Sequence, residues 1–451
     1  MTKRTLGALL ALTTLAGCGT GAASTDTVPI VIGYQSKTIN TVTAGTLLRA
    51  QGFFEKQLEE LGRKTGKKYE VTWQDYDTGA PITAQMIAGK IDIGSMGDFP
   101  LLINGSRTQK QGDEGTRMVS VTGYNPRGAL NMVVVPPDSP AKTLADLAGK
   151  KVSASVGSAG HGTLVRALGD VQVTVENQQP SVGASALQAG NVAALAQFVA
   201  WPGQLVFANQ AKLLYDGAAL NLPTLHGVVV RKPFATAQPD VLAEFLRAQL
   251  DATNYLHEKP LDAAKSVAQA TGLPPEVVYL YNGRNGIATF DLSLKSLLRK
   301  ALKDDVPFLK SIGNIDELDV DKFIDDGPLK AVLGAGTEDT ANPAKITGRD
   351  EVCQTDVGDP ATAGEIWFDG EETTHPAANP TCLLKAINAG GKKVRAAYVP
   401  DAETGTRWFA DHAVWVKEAD GRLLPFTTEA AARKRSGTVL DYARALAAAG
   451  R

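Results

Sequence analysis

The chain has 451 residues, of which 43% are hydrophobic and 21% charged, and its formal net charge is −2. That length favours two or three domains, and the composition excludes disorder as the main state. A near-neutral balance with no basic stripe excludes nucleic acid as the principal partner.

The N-terminal run MTKRTLGALLALTTLAGC places Lys3 and Arg4 before an apolar stretch from Leu6 to Ala16. This is a secretory signal pattern, too short for a stable membrane span. Its end, Leu15-Ala16-Gly17-Cys18, resembles the bacterial lipobox. The resemblance implies removal of residues 1–17, lipidation of Cys18, a tether over 18–27, and anchoring on the extracytoplasmic face of the cell membrane.

Val28 to Tyr34 reads as a buried strand followed by a loop at Gln35-Ser36-Lys37. AGTLLRAQGFFEKQLEELG has helical spacing and ends at Gly62. KKYEVTWQDYDTG alternates as a strand, APITAQMIAGK reads as a helix, and IDIGSMGDFP as a short strand and loop. TRMVSVTGYNP is the next strand. Strands alternating with helices predict an α/β fold with a largely parallel sheet. The pattern restarts after about residue 128 with NMVVVPPD, and GVVVRKPF is a strand of the same type. Pro239 to about Leu333 is mostly helical, with a break at Pro274-Pro275. Residues 334–350 have a linker composition, and strand-like runs and short helices after them form a separate small α+β domain.

The ordered phrases IGYQS, QMIAGKIDIGSMGDFPLL, LADLAGKKVSASVGSAGHGTLVRAL and FVAWPGQLV resemble the solute-binding subunits of ABC importers, in the nitrate/sulfonate/taurine branch. The resemblance covers roughly residues 28–333. It implies a two-lobed, type II periplasmic-binding-protein-like fold, with lobe one at 28–124 and 230–333 and lobe two at 125–229. It also implies a small solute held between the lobes, handed by hinge closure to an ABC permease, with no catalysis by a monomeric receptor. No nucleophile–base–acid set opposes this, and the loop at Ser158 lacks the G-x-S-x-G elbow.

Ligands of open α/β sheets sit beyond the carboxyl ends of strands, against helix N-termini. Four loops qualify: Gln35-Ser36, Ser95 to Pro100 with Asp98 and Phe99, Tyr124-Asn125, and Gly157 to Gly162 with Ser158 and His161. In the last, free N–H groups at Gly160, His161, Gly162 and Thr163 are expected to face a small oxyanion. No Lys-Ser/Thr follows, so this is not a nucleotide P-loop. Asp98 opposes a bare anion and pairs with an ammonium, which favours a zwitterion such as an aminosulfonate; the alternative is a helix N-cap. Trp201 in AWPG is read as a cleft wall or as a core residue.

The stretch from CQTDVGD to LLPFTTEAAARKRSG, about 350–451, resembles the NosL family of copper-delivering lipoproteins. The family's Cys-x-Met is met only by Cys353, since Thr355 stands at the Met position, so the soft thioether that selects copper(I) is missing. Cys353, Cys382 and His375 remain the candidate copper ligands, against a Cys353–Cys382 disulfide. Copper handling by this domain is the alternative function.

Overall fold

A computed structural model describes residues 27–450; the signal stretch, the lipobox and Cys18 lie outside the described residues. Strands β1 (Thr27–Tyr34), β2 (Lys68–Asp75), β3 (Ile93–Gly97) and β4 (Thr116–Asn125) alternate with helices and build the first sheet. β5 (Asn131–Val135), β6 (Lys151–Ala154), β7 (Thr174–Asn177), β8 (Ala194–Phe198) and β9 (Lys212–Asp216) build the second. The chain then returns to the first sheet through β10 (Thr224–Arg231) and β11 (Thr289–Phe290).

The two sheets share one plan. The orders are β11-β4-β10-β3-β1-β2 and β7-β6-β8-β5-β9. Three parallel strands run second, first, third in each, and the next strand is antiparallel. That antiparallel strand, β10 or β5, is the one arriving directly from the other lobe. The return crossing therefore precedes residue 224, earlier than the expected lobe boundary at 229/230, because GVVVRK pairs with β3 and β4 of lobe one.

The crossings, 126–130 and 217–223, lie against each other. Asn125 Oδ1 accepts from the N–H groups of Arg127, Gly128 and Ala129, which fixes the first turn. The Leu222 N–H donates to the Arg127 carbonyl at 3.2 Å. Gly128 has φ +103, and a Cβ there would lie 2.7 Å from the Leu222 oxygen. Only glycine fits so close an approach in that conformation.

The helical run after β1 departs from the single helix expected. It splits into Thr46–Ala50 and Phe53–Thr65 around Gly52, whose φ is +64. It passes through Gly62 and stops at Gly66, where a left-handed C-cap is adopted. No helix among the described residues is long and apolar enough to cross a membrane.

Residues 334–350 are not a free linker. The Lys295 ammonium donates to the Thr337 carbonyl, the Glu338 carboxylate accepts from the Ser296 N–H, and the Asn285 N–H donates to Ala344. Ile346 is buried. The segment is largely exposed, as its polar composition suggests, but these bonds tie it to lobe one.

The C-terminal domain has a four-stranded antiparallel sheet, with Thr374–Ala377, Gly364–Phe368, Val394–Pro400 and Arg407–Phe409 as neighbours in that order, and a three-stranded sheet around Val414–Lys417. Helices Pro380–Ala389 and Tyr442–Ala449 cover them. His412 ends a short 3-10 turn between strands rather than lying within one. The domain shares a core with the lobes: Trp367, Tyr398, Trp408 and Phe409 belong to the same apolar cluster as Leu130 and Trp201 of lobe two and Tyr279 and Tyr281 of helix Pro275–Asn282.

Polar contacts lock this junction. Glu365 is fully buried and accepts from Arg407 at 2.8 Å, Thr374 at 2.8 Å and the Tyr279 hydroxyl at 3.1 Å. The Arg407 guanidinium lies between the Tyr279 and Tyr398 rings. The Tyr398 hydroxyl reaches the Glu276 carbonyl, and the Thr406 hydroxyl reaches Asp216 of lobe two at 2.6 Å. The full chain is therefore expected to melt in one calorimetric transition. Glu365→Ala strands a buried guanidinium and is expected to cost about 3–5 kcal/mol, measured by denaturant unfolding; two separate melts would contradict the shared core.

Candidate functional site

The lobes meet along a seam beyond the carboxyl ends of their parallel strands. Helix Asp98–Gln109 follows β3 directly, and helix Ala159–Leu168 follows β6 after a short turn. Phe99, at the start of the first, packs on Gly162 of the second; a Cβ on Gly162 would lie 1.8 Å from the ring. Arg166, one turn beyond Gly162 on the same helix face, forms an ion pair of 2.7 Å with Asp305 of helix Ser296–Ser311. Its guanidinium also stacks 4.1 Å from the Phe308 ring centroid. A second contact joins the lobes where the Lys37 ammonium stands 5.7 Å over Trp201. The Ala200 N–H there points to the Lys37 carbonyl.

A small interlobe cavity of about 20 Å³ lies at the first contact, lined by Asp98, Asn131, Thr163, Arg166, Thr224 and Asp305 among others. It has room for one water-sized probe, so a larger solute enters only as the seam parts. Asp98 is buried and accepts from the Thr224 hydroxyl at 2.6 Å, the Leu225 N–H and the Phe99 N–H. Burial raises its carboxyl above the ordinary range, against the pull of those bonds. Burial, and next the Asp98 charge, push Asp305 up to about 7, with Arg166 opposing. Asn131 Oδ1 has no hydrogen-bond partner among the described residues. Acceptors without matching cations complement an ammonium, while Arg166 and the Thr163 hydroxyl complement an anionic group.

The expected residues fall in several places. Asp98 and Phe99 stand at the cavity and Trp201 at the second contact. Asp98 is the first residue of its helix, and Gly97 is the N-cap. Gln35 is buried and bonded to the Ser95 carbonyl at 3.1 Å, and the Ser36 N–H is taken by Asp75. Both brace the first loop within lobe one. Ser158 caps its helix by accepting from the His161 N–H, and the Gly162 N–H is used by the Ser158 carbonyl. Two of the four N–H groups expected to meet an oxyanion are thus spent in the cap itself. His161 accepts weakly from Gly157, and burial lowers its basicity. Tyr124 departs from expectation: it is fully buried in the apolar cluster of Phe99, Leu225 and Leu294, away from the cavity lining, because its position on β4 turns the ring into the lobe-one core.

The chain reading missed Arg166, Asp305 and Asn131. Arg166 had a signal, its four-residue spacing from Gly162. Asp305 had none, since KALKDDVPFLK reads as a solvated charged helix.

In the C-terminal domain Cys353 and Cys382 are joined by a disulfide. Asp350 lies within 4.8 Å of both sulfurs, but its carboxylate accepts from the N–H groups of Val352, Cys353 and Ala378. His375 is not in this group and pairs with Glu371. The set expected as copper ligands is therefore not assembled: the sulfurs are bonded to each other, so neither is a thiolate.

Comparison with known proteins agrees with this architecture. The sequence pattern of the family described as NMT1/THI5 like matches residues 70–263. A putative aliphatic sulfonates-binding protein of Escherichia coli (strain K12) is 26% identical over 279 residues, 60% of this chain and 81% of its own. The taurine-binding periplasmic protein of the same organism is 25% identical over 301 residues, covering 63% and 90%. The fold is similar to the alkanesulfonate-binding protein SsuA from Xanthomonas axonopodis pv. citri bound to MOPS, with a TM-score of 0.55 and 24% identity over 66% of this chain and 97% of that one. The chain thus has a two-lobed periplasmic-binding-protein-like fold followed by a small additional domain.

Two outcomes follow from the seam. Gly162→Ala is expected to drive Phe99 out and hold the lobes apart, read as a larger radius of gyration in solution scattering. Asp305 keeps a proton when folded that it loses when unfolded, between its ordinary value of 3.8 and about 7. Its contribution to stability is therefore full at low pH and is lost as pH rises through that window. Melting at pH 5 and pH 8 is expected to show a smaller drop for Asp305→Asn than for the unchanged chain.

Proposed function

We propose that the chain is an extracytoplasmic solute-binding protein of an ABC importer, capturing a small aminosulfonate-like zwitterion between its lobes and presenting it to a permease. The observation that carries this reading is the mixed lining of the interlobe cavity: Asp98, Asp305 and Asn131 Oδ1 for an ammonium, Arg166 for the anionic end. The curated relatives it matches are named as binding proteins rather than enzymes. As the seam parts, an arriving solute replaces the Arg166–Asp305 pair with its own charges, and lobe closure buries it by a hinge motion. A lipid at Cys18 would tether the receptor beside its permease. The C-terminal domain braces the receptor in this reading, and its disulfide gives copper handling no support.

The test is thermal melting of the full chain with taurine, alkanesulfonates, aromatic sulfonates, nitrate and simple amines. A solute at about 100 times its Kd adds roughly 2.7 kcal/mol. Taurine-like zwitterions are expected to raise the melting temperature most, and Asp98→Asn together with Arg166→Gln to abolish the rise. No shift with any sulfonate would refute the assignment.

A further inference from the structure

A separate cavity of about 290 Å³ opens where the hinge, the connecting segment and the C-terminal domain meet. Arg127 of the first crossing, Lys345 of the connecting segment and Arg407 of the C-terminal sheet line it, with Asn125, Asn285 and Thr404. No Asp or Glu is among its lining residues. Arg127 and Lys345 form no ion pair among the described residues.

Several buried donors here lack an acceptor among the described residues. They are Arg127 Nε, Asn285 Nδ2, and both Nε and Nη1 of Arg407. Arg407 is only 3% exposed. Its one engaged nitrogen, Nη2, is bonded to Glu365, and that carboxylate is shared with Arg284 at 3.7 Å. A buried donor without an acceptor is destabilising, and cations gathered around one space repel each other. A single species with several acceptor oxygens and negative charge relieves both, and guanidinium groups match oxyanions well.

We propose that this cavity binds a small oxyanion of the sulfate or phosphate class. The site is distinct from the interlobe cleft and does not rest on the cleft's assignment. A bound oxyanion joins the first lobe crossing, through Arg127, to the C-terminal domain, through Arg407, and to the segment between them, through Lys345. It thereby stiffens the hinge on which the lobes move.

The test uses the full chain, with sodium sulfate and sodium phosphate titrated against sodium chloride at equal ionic strength, read by thermal melting and calorimetry. The expected result is a saturable rise in melting temperature with sulfate or phosphate. Arg166→Gln, changed only at the interlobe seam, is expected to keep that rise. The double variant R127Q/K345Q is expected to bind at least tenfold more weakly while melting within a few degrees of the unchanged chain in chloride. Absence of a saturable response to either anion overturns the proposal. So does an equal response in R127Q/K345Q, and so does loss of the response in Arg166→Gln alone, which would place the anion in the cleft.

Discussion

The contact on which the molecule depends is the seating of Phe99 against the bare backbone of Gly162, with Arg166 and Asp305 closing over it. A side chain on Gly162 would separate the two helices that carry it, and with them the two sheets. The contact brings two carboxylates and one guanidinium into a space of about 20 Å³. Such a cluster is poorly hydrated, so burial raises both carboxyls above their ordinary range while Arg166 opposes the rise. In the proposed function that mixture favours a zwitterion, because a bare anion meets Asp98 and Asp305 while a bare cation meets Arg166.

Lobe motion is set beside this cavity, where Gly128 and Leu222 of the two crossings form part of its wall. The crossings touch backbone to backbone at Gly128 and Leu222, which leaves little slack in the hinge. The C-terminal domain then docks on both lobes, on lobe two through Asp216 and Phe207 and on helix Pro275–Asn282 through Tyr279 and Glu276. A rotation of one lobe against the other must slide past one of these two contacts. The additional domain is thus a brace across a joint rather than an appendage, and the buried Glu365–Arg407 pair is its anchor.

Much of the fold was legible along the chain because periodicity and glycine punctuation report local structure. The strand–helix alternation, its restart near residue 128, and the helical block after Pro239 all appear in the sequence. What failed depended on distant partners. The segment 334–350 looks like linker until Lys295, Ser296 and Asn285 are brought to it. Tyr124 stands in a loop expected to face a ligand, but its side of β4 faces the core. Asp98 and Phe99, which line the interlobe cavity, lie in a loop singled out along the chain, and Trp201 lies in the core cluster beside the second interlobe contact, whereas Asp305 stands 139 residues from its partner Arg166 and carries no local mark.

The most direct test of the central claim, that the seam reads an ammonium and an anionic group together, is calorimetric titration of taurine at pH 6.5 in two buffers of different ionisation enthalpy. At that pH Asp305, pushed up to about 7, is largely protonated. An incoming ammonium must displace that proton, so binding is expected to release about three-quarters of a proton per solute, the amount linkage gives at this pH when a bound cation restores an ordinary carboxyl pKa. A simple alkanesulfonate that binds as tightly as taurine with no proton released would contradict the claim.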